Sequence, residues 1–386
     1  MMKKSIFAVA VASVLTLGAA HAETVLYGSI RYEYQSKKLE SPDRDTMSGI
    51  QKFTGKRLSN LEDAGSRIGL KGSEDLGNNN AVIYNLEWGF NGMEQGNSAS
   101  GFKNRKAILG LTGDWGTVTA GRQDNPFKVT IVDDSVQDDF NGSTISSASQ
   151  RAMTTTLRAQ GLSGDQTIEG KTQFVNTVND TDFSRVGKVI AYTTPEWAGF
   201  QANAAVMMDA DLYPTNSRKN ADLWTINARY AYDLGGDYGQ ILAKAGYIQG
   251  KVSGRQHMKK SSKVWGLFVG YLSDPVKVTV SYADGNQNDL AGQSGDKAKS
   301  KGWDLGASYS FGPNYFSTVR ATYGQNELKV AGGKDKVKSW AVGFEQKLST
   351  RTRAWVEYGA EETKFNANNT EKQKDNIVSI GLRHDF

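Results

Sequence analysis

The feature of the chain that most constrains its fold is an alternation of apolar and polar side chains with a period of two residues. Between Val82 and Phe90, large apolar side chains occupy every second position, and polar or small residues such as Asn85, Glu87 and Gly89 lie between them. Successive side chains of a β-strand point to opposite faces, so the pattern predicts strands with one apolar and one polar face. The mean hydropathy of −0.52 agrees with this, because polar faces offset apolar ones.

Carried to the end of the chain, the alternation predicts about sixteen strands, separated by short breaks that largely alternate with long, charged ones. An antiparallel transmembrane β-barrel has tight periplasmic turns at one end and long external loops at the other, and its closed sheet leaves no bare edge in lipid. We therefore predict an all-β, sixteen-stranded antiparallel barrel. The strand cores are expected at 24–35, 65–74, 81–91, 104–112, 116–123, 185–194, 199–208, 222–233, 239–250, 263–273, 276–284, 302–311, 315–326, 338–348, 352–362 and 376–386. The long breaks include 36–64, 251–262, 285–301, 327–337 and 363–375.

The first 22 residues have the pattern of a signal peptide. Lys3 and Lys4 are followed by an apolar stretch at 6–20, and Ala20, His21 and Ala22 form a small-x-small cleavage site. Cleavage would leave residues 23–386 as one barrel unit of an exported protein. No later run approaches the ~18 apolar residues that a membrane helix needs.

The composition excludes several classes of function. The chain has no cysteine, which excludes thiol nucleophiles and thiolate metal sites. Its formal net charge is +5, and its basic residues are interspersed with acids instead of being gathered on one face, which argues against nucleic-acid binding. Glycine is abundant at 42 residues and proline scarce at 6, as many strands joined by tight turns require.

The end of the chain continues the alternation. Ile380, Leu382 and Phe386 are expected on one face of the last strand, and Gly381 and Arg383 on the other. A terminal Phe would serve no purpose in water, but on a barrel it completes the lipid-facing stripe where the last strand meets the first. A soluble β-sandwich or propeller is the alternative, and the long chain without domain linkers argues against it.

At this point the chain resembles the general porins of Gram-negative outer membranes, most closely the neisserial and β-proteobacterial type. The motifs that carry the resemblance are, in order, VLYGSI at 25–30, GSRIGLKGSEDLG at 65–77, NR at 104–105, GR at 121–122, SRVG at 184–187, PEWAGF at 195–200 and GLRHDF at 381–386. The resemblance implies a homotrimer in the outer membrane, among its lipid and lipopolysaccharide. It also implies that the outer-membrane insertion machinery recognises Phe386.

One break is far longer than the others. About sixty residues at 124–184 separate the fifth and sixth predicted strands, well beyond the usual connection. A barrel of sixteen strands is too wide to discriminate small solutes by itself, so a narrowing element is required. The resemblance implies that this third loop folds inward. Its first part carries the acidic candidates for a pore constriction, Asp133, Asp134, Asp138 and Asp139.

The basic candidates lie on the barrel wall. Because side chains alternate between the two faces of a strand, Arg31, Arg67 and Lys71 are expected to face the lumen, opposite the apolar lipid-facing residues; we call this odd or even position along a strand its parity. The resemblance places Arg67, Arg105 and Arg185 among the wall arginines of the family, and Arg122 is a further candidate. The alternative for all these charges is that they only solvate the lumen or pin the loop.

A departure from the family pattern concerns the first strand. Ser29 occupies the position of a lysine found in enterobacterial relatives, and Arg31, two residues further on the same face, could take the place of that lysine.

Acidic residues on the loop and basic residues on the facing wall would create an electric field across the pore, which favours polar solutes and biases ion permeation. We therefore predict a passive diffusion channel for small hydrophilic solutes and ions, with weak anion preference and without cofactor or metal. A substrate-specific channel, for sugars for example, would need an aromatic ladder in the lumen, and most aromatics here have lipid-facing parity. An enzyme would need a base, but His257 lies in a polar loop and His384 on the lipid-facing stripe. Adhesion through the external loops stays open.

Overall fold

The computed structural model describes residues 23–42, 52–93, 101–142, 146–158, 183–208, 223–250, 261–287, 298–330, 333–365 and 371–386. The predicted signal peptide at 1–22 lies outside the described residues, as does 159–182 within the long third loop. In the described ranges, no helix is both long and apolar enough to cross a membrane.

Sixteen antiparallel wall strands form a closed barrel, which confirms the predicted fold class. The barrel closes because β1 pairs with its sequence neighbour β2 on one side and with the last strand on the other: Tyr32 lies opposite both Asp63 and Leu382. The strands are β1 (Glu23–Lys38), β2 (Arg57–Asp63 and Arg67–Gly77), β3 (Asn80–Gly89), β4 (Lys103–Gly113), β5 (Gly116–Asp124), β6 (Arg185–Thr193), β7 (Phe200–Met207), β8 (Leu223–Asp233), β9 (Gln240–Gly250), β10 (Ser262–Leu272), β11 (Val276–Gln287), β12 (Ala298–Phe311), β13 (Ser317–Val330), β14 (Gly333–Lys347), β15 (Thr352–Lys364) and β16 (Gln373–Asp385).

The strands are longer at the external end than the alternation indicates. The predicted loop at 36–64 is wrong over part of its length, because Arg57–Asp63 pairs with β1. The predicted long loop at 327–337 is also wrong, since β13 continues to Val330 and β14 begins at Gly333. Beyond the hydrocarbon layer both faces of a strand can be polar, so backbone pairing continues where the hydropathy signal has ended.

A row of aromatic rings surrounds half of the barrel on its outward face. One Trp or Tyr lies at this level on each of eight successive strands, β8 to β15, on the side of the long loops, and four neighbouring pairs have ring centroids 5.2 to 5.5 Å apart. Such rings occupy the level of the lipid headgroups. We call this row the external aromatic belt; its members are Trp224, Tyr247, Trp265, Tyr282, Trp303, Tyr323, Trp340 and Tyr358.

The end of the chain seals the barrel as the alternation predicted. The backbone N–H of Phe386 donates to the Gly28 carbonyl at 3.1 Å, and the Gly28 N–H donates back to the Phe386 carbonyl at 3.0 Å. An ideal Cβ at Gly28 would lie 2.5 Å from Cζ of Phe386, so the absence of a side chain there makes room for the terminal ring.

The third loop folds into the barrel. Two helices, α1 (Pro126–Ile131) and α2 (Ala148–Arg158), pack against the inner wall of β8 to β10 and β10 to β13 respectively. Phe127, Ile131, Met153 and Leu157 are fully buried there, in an apolar cluster that includes wall residues such as Ile248. Burial of this apolar face gives the loop a fixed position against one side of the lumen.

Inward-facing glycines on the wall let the loop approach closely. An ideal Cβ at Gly266 would lie 2.4 Å from Cγ2 of Ile131, and one at Gly302 would lie 1.9 Å from the Ala148 carbonyl oxygen. A side chain at either position would displace the loop.

Candidate functional site

The acidic residues of the loop are paired with lysines. Nζ of Lys244, on β9, lies 3.2 Å from the Asp134 carboxylate, and Nζ of Lys277, on β11, lies 2.8 Å from that of Asp139. Asp134 and Asp139 are therefore paired with lysines of the wall beneath the loop. This is the loop-pinning role that the sequence left open.

Asp133 and Asp138 share one lysine of the loop itself. Nζ of Lys128 lies 2.5 Å from the Asp133 carboxylate and 3.6 Å from that of Asp138. Burial opposes the charge of Lys128, but Asp138 and Asp133 outweigh it and raise the pKa of Lys128 above its usual value. Burial, only partly offset by Lys128, raises the pKa of Asp133 to about 6, with repulsion from Asp138 adding to the rise. Two carboxylates thus compete for one ammonium group.

The tip of the loop is held by buried carboxylates of β14 and β15. The backbone N–H groups of Asn141 and Gly142 donate to the two carboxylate oxygens of Glu357 at 2.8 and 2.9 Å. Nδ2 of Asn141 donates to Glu345 at 2.6 Å, and Arg320 lies 3.1 Å from the same carboxylate. Sequence reasoning missed Glu345 and Glu357, although their inward parity could have indicated them.

The start of α2 is capped by a wall residue. The Asp304 carboxylate on β12 accepts hydrogen bonds from the N–H groups of Ala148 and Ser149 at 2.7 and 2.9 Å, and from Oγ of Ser147 at 2.7 Å. A carboxylate here satisfies donors that a helix leaves unpaired and complements the positive end of its dipole.

A row of arginines lines wall strands that neither helix contacts substantially. Arg353 lies opposite Arg383, and Arg383 lies opposite Arg31, so three inward guanidinium groups follow one another across β15, β16 and β1. Arg67 follows on β2, opposite Ser29, the inward residue next to Arg31. We call Arg353, Arg383, Arg31, Arg67 and Arg105 the arginine row.

The fifth member, Arg105, is turned inward by a β-bulge. The register between β3 and β4 pairs Glu87 with Lys106 and Trp88 with Asn104, so Arg105 is an extra residue between them. Nε of Arg105 lies 2.6 Å from the Glu87 carboxylate, and the Lys106 side chain, also on the lumen side, lies 2.6 Å from Asp124. Simple alternation would have turned only one of the two cations inward.

The arginine row carries more charge than its neighbours compensate. Arg67 lies 3.8 Å from the Glu87 carboxylate that also binds Arg105, and Asp385 contacts both Arg383 and Arg353. Nη2 of Arg31 is buried without a hydrogen-bond partner in the described part of the chain. Arg353 also lies 3.8 Å from Glu345, a carboxylate that it shares with Arg320. Three carboxylates thus serve most of the five arginines, whereas the four loop aspartates are paired with three lysines.

The remaining basic candidates have different positions. Arg185 is paired in register with Asp124, beyond a bulge that leaves Lys188 exposed with a φ of 51°. Nζ of Lys71 lies 5.5 Å from the ring centroid of Tyr27, on the inward parity of β2.

Arg122 differs from the other candidates, because it does not join the lumen group. It lies opposite the exposed residue Ala107, on the outward parity of β5, and its Nε donates to the Asn104 carbonyl at 3.0 Å. The expectation that Arg122 lines the lumen is therefore wrong, and the reason is the register of β4 and β5.

Sequence reasoning missed Arg353 and Arg383 as site residues. Both have inward parity, but their proximity to Arg31 depends on the pairing of β15, β16 and β1. That pairing exists only once the barrel has closed.

Comparison with known proteins gives a consistent result. A Gram-negative porin family model matches residues 8–366. The chain is 27% identical over 430 residues to an outer membrane porin protein of Bordetella pertussis, with 100% of both chains covered. It is 25% identical over 392 residues to the major outer membrane protein P.IB of Neisseria lactamica, again with 100% of both covered.

Solved structures show the same fold at low sequence identity. An anion-selective porin from Comamonas acidovorans superposes with a TM-score of 0.65 at 20% identity, over 95% of this chain and 100% of that one. The trimer form of in-vitro folded OmpT from Vibrio cholerae gives 0.60 at 14% identity, over 95% and 99%. The family match covers nearly the whole barrel, and the chain therefore belongs to the Gram-negative porin family and forms a passive diffusion channel in the outer membrane.

Proposed function

We propose that this porin is weakly anion-selective, and that the arginine row faces the inward loop across the constriction. The observation that carries the proposal is the unequal compensation of charge. Glu87, Asp385 and a Glu345 that is shared with Arg320 serve most of the five arginines of the row, while three lysines offset most of the charge of the four loop aspartates. A surplus of fixed positive charge in a narrow passage raises the local concentration of anions. The similar fold of the anion-selective Comamonas porin supports the proposal.

The position of the loop tip supports the same constriction. An ideal Cβ at Gly142 would lie 2.3 Å from Oγ of Ser379 and 2.6 Å from the Glu33 carboxylate. Glu33 and Ser379 are inward residues close to Arg31 and Arg383 on β1 and β16. The tip of the loop therefore reaches β1 and β16, the strands that carry Arg31 and Arg383.

The role of each predicted residue follows from these contacts. We assign the basic side of the passage to Arg31, Arg67 and Arg105 with Arg353 and Arg383. Lys71 and Arg185 extend the positive charge along the wall. Asp133, Asp134, Asp138 and Asp139 hold the loop in place, and Lys128, Lys244 and Lys277 offset most of their charge.

A reversal-potential measurement in a planar bilayer under a potassium chloride gradient tests the proposal. We expect a weak anion preference in the parent channel, and a lower one in Arg67→Gln and Arg383→Gln. Arg122→Gln is the matched control, because it removes the same charge from the outward parity and should leave the preference unchanged. Cation selectivity in the parent would contradict the proposal.

We propose general diffusion of small hydrophilic solutes in preference to a channel for one sugar. The eight residues of the external aromatic belt all face outward, so they provide no aromatic ladder in the lumen. Liposome swelling with sugars of equal size should give equal rates. A sharp preference for one of them would contradict general diffusion.

We also propose a homotrimer, in line with the trimer form of the similar OmpT structure. The external aromatic belt ends at β15. At the same level, the following strands β16, β1 and β2 carry Val378, Ser36 and Ser59 in place of an aromatic residue. Wall strands without the belt are the ones suited to contact another copy of the chain. A cysteine at position 59 should form a cross-link between protomers, and a cysteine at position 321, on the belt side, should not.

We propose that the insertion machinery recognises Phe386, a residue that remains 41% exposed at the seam of the barrel. Deletion of Phe386 should lower the amount of barrel in the outer membrane without changing the conductance of the channels that do assemble. Normal assembly of the deletion variant would contradict this role.

A further inference from the structure

The first external loop, between β1 and β2, has two stems that pair with each other. The described stems, 39–42 and 52–56, include two short antiparallel strands. Gly55 permits their close approach, because an ideal Cβ there would lie 2.2 Å from the Leu39 carbonyl oxygen. We call these two stems the first-loop strap.

One stem of the strap covers an inward phenylalanine. Phe365 directly follows β15 and continues the inward alternation of Glu361 and Thr363, at the external rim of a water-filled channel. A ring in this position would be exposed to water, yet Phe365 is only 8% exposed. Phe53 of the strap stacks on it, with ring centroids 5.3 Å apart and an angle of 20° between the ring planes. The strap therefore lies on the lumen side of the wall.

The other stem is bound by the external end of β16. The Glu40 backbone N–H donates to the Asp375 carboxylate at 2.7 Å, and the Glu40 carbonyl accepts from Nε2 of Gln373 at 2.8 Å. The Glu40 carboxylate accepts from the Lys374 backbone N–H at 2.8 Å and lies 2.7 Å from Nζ of Lys38. Gln373 and Asp375 have inward parity, so this contact also lies on the lumen side.

The third loop reaches the same two strands. Arg151 of α2 lies 2.7 Å from the Glu361 carboxylate, and Glu361 lies directly opposite Asp375 in the register of β15 and β16. The carboxylate that holds α2 and the carboxylate that holds the strap are therefore cross-strand neighbours, with Cβ atoms about 5 Å apart. Since α2 packs on β10 to β13 and the strap on β15 and β16, the two segments narrow the entrance together.

The strap lies well outside the constriction. Glu357, which holds the tip of the third loop, precedes Phe365 by eight residues, which corresponds to about 26 Å along the strand. The stacked rings carry no charge, and Lys38 offsets the charge of the Glu40 carboxylate. The strap is therefore suited to limit the size of an entering solute without acting on its charge.

We propose that the first-loop strap sets the size limit of the external mouth, so that a solute passes a size filter before it reaches the charged constriction. The filter is steric, because the docked strap occupies part of the cross-section of the mouth above β15 and β16. Release of the strap returns that cross-section to the channel. Large solutes gain most from this, since their passage depends most strongly on the diameter of the pore.

Liposome swelling with uncharged sugars of graded size, from a pentose to a trisaccharide, tests the strap in the intact channel. Phe53→Ala removes the ring that holds the strap on Phe365, so the trisaccharide should enter several-fold faster while the rate for the pentose stays nearly unchanged. The reversal potential should equal that of the parent, because no charge is removed. The same dependence on sugar size in Phe53→Ala and in the parent would overturn the proposal.

Phe102→Ala is the matched control. It removes a ring from another aromatic pair at the external end of the wall, in which the centroids of Phe90 and Phe102 lie 6.0 Å apart. This pair does not include the strap, so both swelling rates should remain those of the parent. A widened size limit in Phe102→Ala equal to that in Phe53→Ala would also contradict the assignment of the size filter to the strap.

Chemical re-attachment of the strap provides a rescue that a merely stabilising contact would not give. The chain has no cysteine, so F53C/F365C introduces two unique thiols. This variant should have the wide size limit of Phe53→Ala, and bridging of the thiols by a short bifunctional reagent should restore the limit of the parent. F53C treated with the same reagent gains bulk without a bridge and should stay wide.

Two results of the rescue would overturn the proposal. One is a bridged channel that is as wide as the unbridged one, and the other is a pair of thiols that the short reagent fails to bridge. Discrete single-channel steps show that each variant has folded. Cation selectivity in the parent would refute the proposed anion preference and leave the size filter intact.

Discussion

The Glu87 carboxylate is the point at which the proposed selectivity can be tested most sharply, because its removal should strengthen anion preference. It lies 2.6 Å from Arg105 and 3.8 Å from Arg67, and it cancels part of the positive charge of both. The Glu87→Gln variant keeps the shape of the side chain and removes only the charge. The arginines then act on permeating ions without a local counter-charge.

The size of the effect follows from Coulomb's law. A monovalent ion passing about 7 Å from the carboxylate interacts with it by about 0.6 kcal/mol in water. Screening at 0.1 M salt reduces this to about 0.3 kcal/mol. Because the carboxylate repels anions and attracts cations, its removal changes their relative energies by about 0.6 kcal/mol, and the anion-to-cation permeability ratio should rise about threefold.

Reversal potentials measured at two salt concentrations provide the assay. The rise should shrink at 1 M salt, where the screening length falls to about 3 Å. Glu196→Gln is the matched control, because Glu196 is half-exposed in the short turn between β6 and β7 and pairs at 2.5 Å with Arg229, which is not a member of the row. An unchanged or lower ratio in Glu87→Gln would refute the assignment of the row to the constriction.

Three other predictions follow from the contacts of the loop and of the terminal residue. Gly266→Leu should push Ile131 off the wall and destabilise the docked loop by about 1–3 kcal/mol. Single-channel recordings should then show a larger, noisier conductance, and an unaltered trace would contradict the docking of the loop on Gly266. Acidification from pH 7 to 5 should increase anion preference, because the folded loop takes up a proton at Asp133 near pH 6. The raised pKa also means that loop stability increases as the pH falls through that value, since the unfolded chain stays charged until about pH 4. Asp133→Asn should remove this gain in stability and reduce the change in anion preference. Gly28→Val should displace the Phe386 ring and lower the melting temperature followed by circular dichroism, and an unchanged melting temperature would show that the ring packs elsewhere.

Local patterns in the sequence were sufficient to predict the barrel fold. The period of two, the turn residues and the outward parity of Phe386 depend on a few neighbouring residues, because each strand has one lipid-facing side. The same parity indicated that Arg31 and Arg67 face the lumen. Strict alternation did not predict the direction of side chains at β-bulges. Arg105 and its neighbour Lys106 both face the lumen because β4 has an extra residue in its register with β3.

The sequence by itself therefore determined the strand count, the closed sheet, the exceptional length of the third loop and the types of charge in the lumen. Only the tertiary structure decided which charges meet. Arg353 and Arg383 join Arg31 because barrel closure pairs residues at the two ends of the chain. Asp134 and Asp139 meet Lys244 and Lys277 because the apolar faces of α1 and α2 bury against β8 to β13, over wall glycines that admit them. Contacts between residues so distant in sequence are set by packing, which the alternation of side chains along a single strand does not encode.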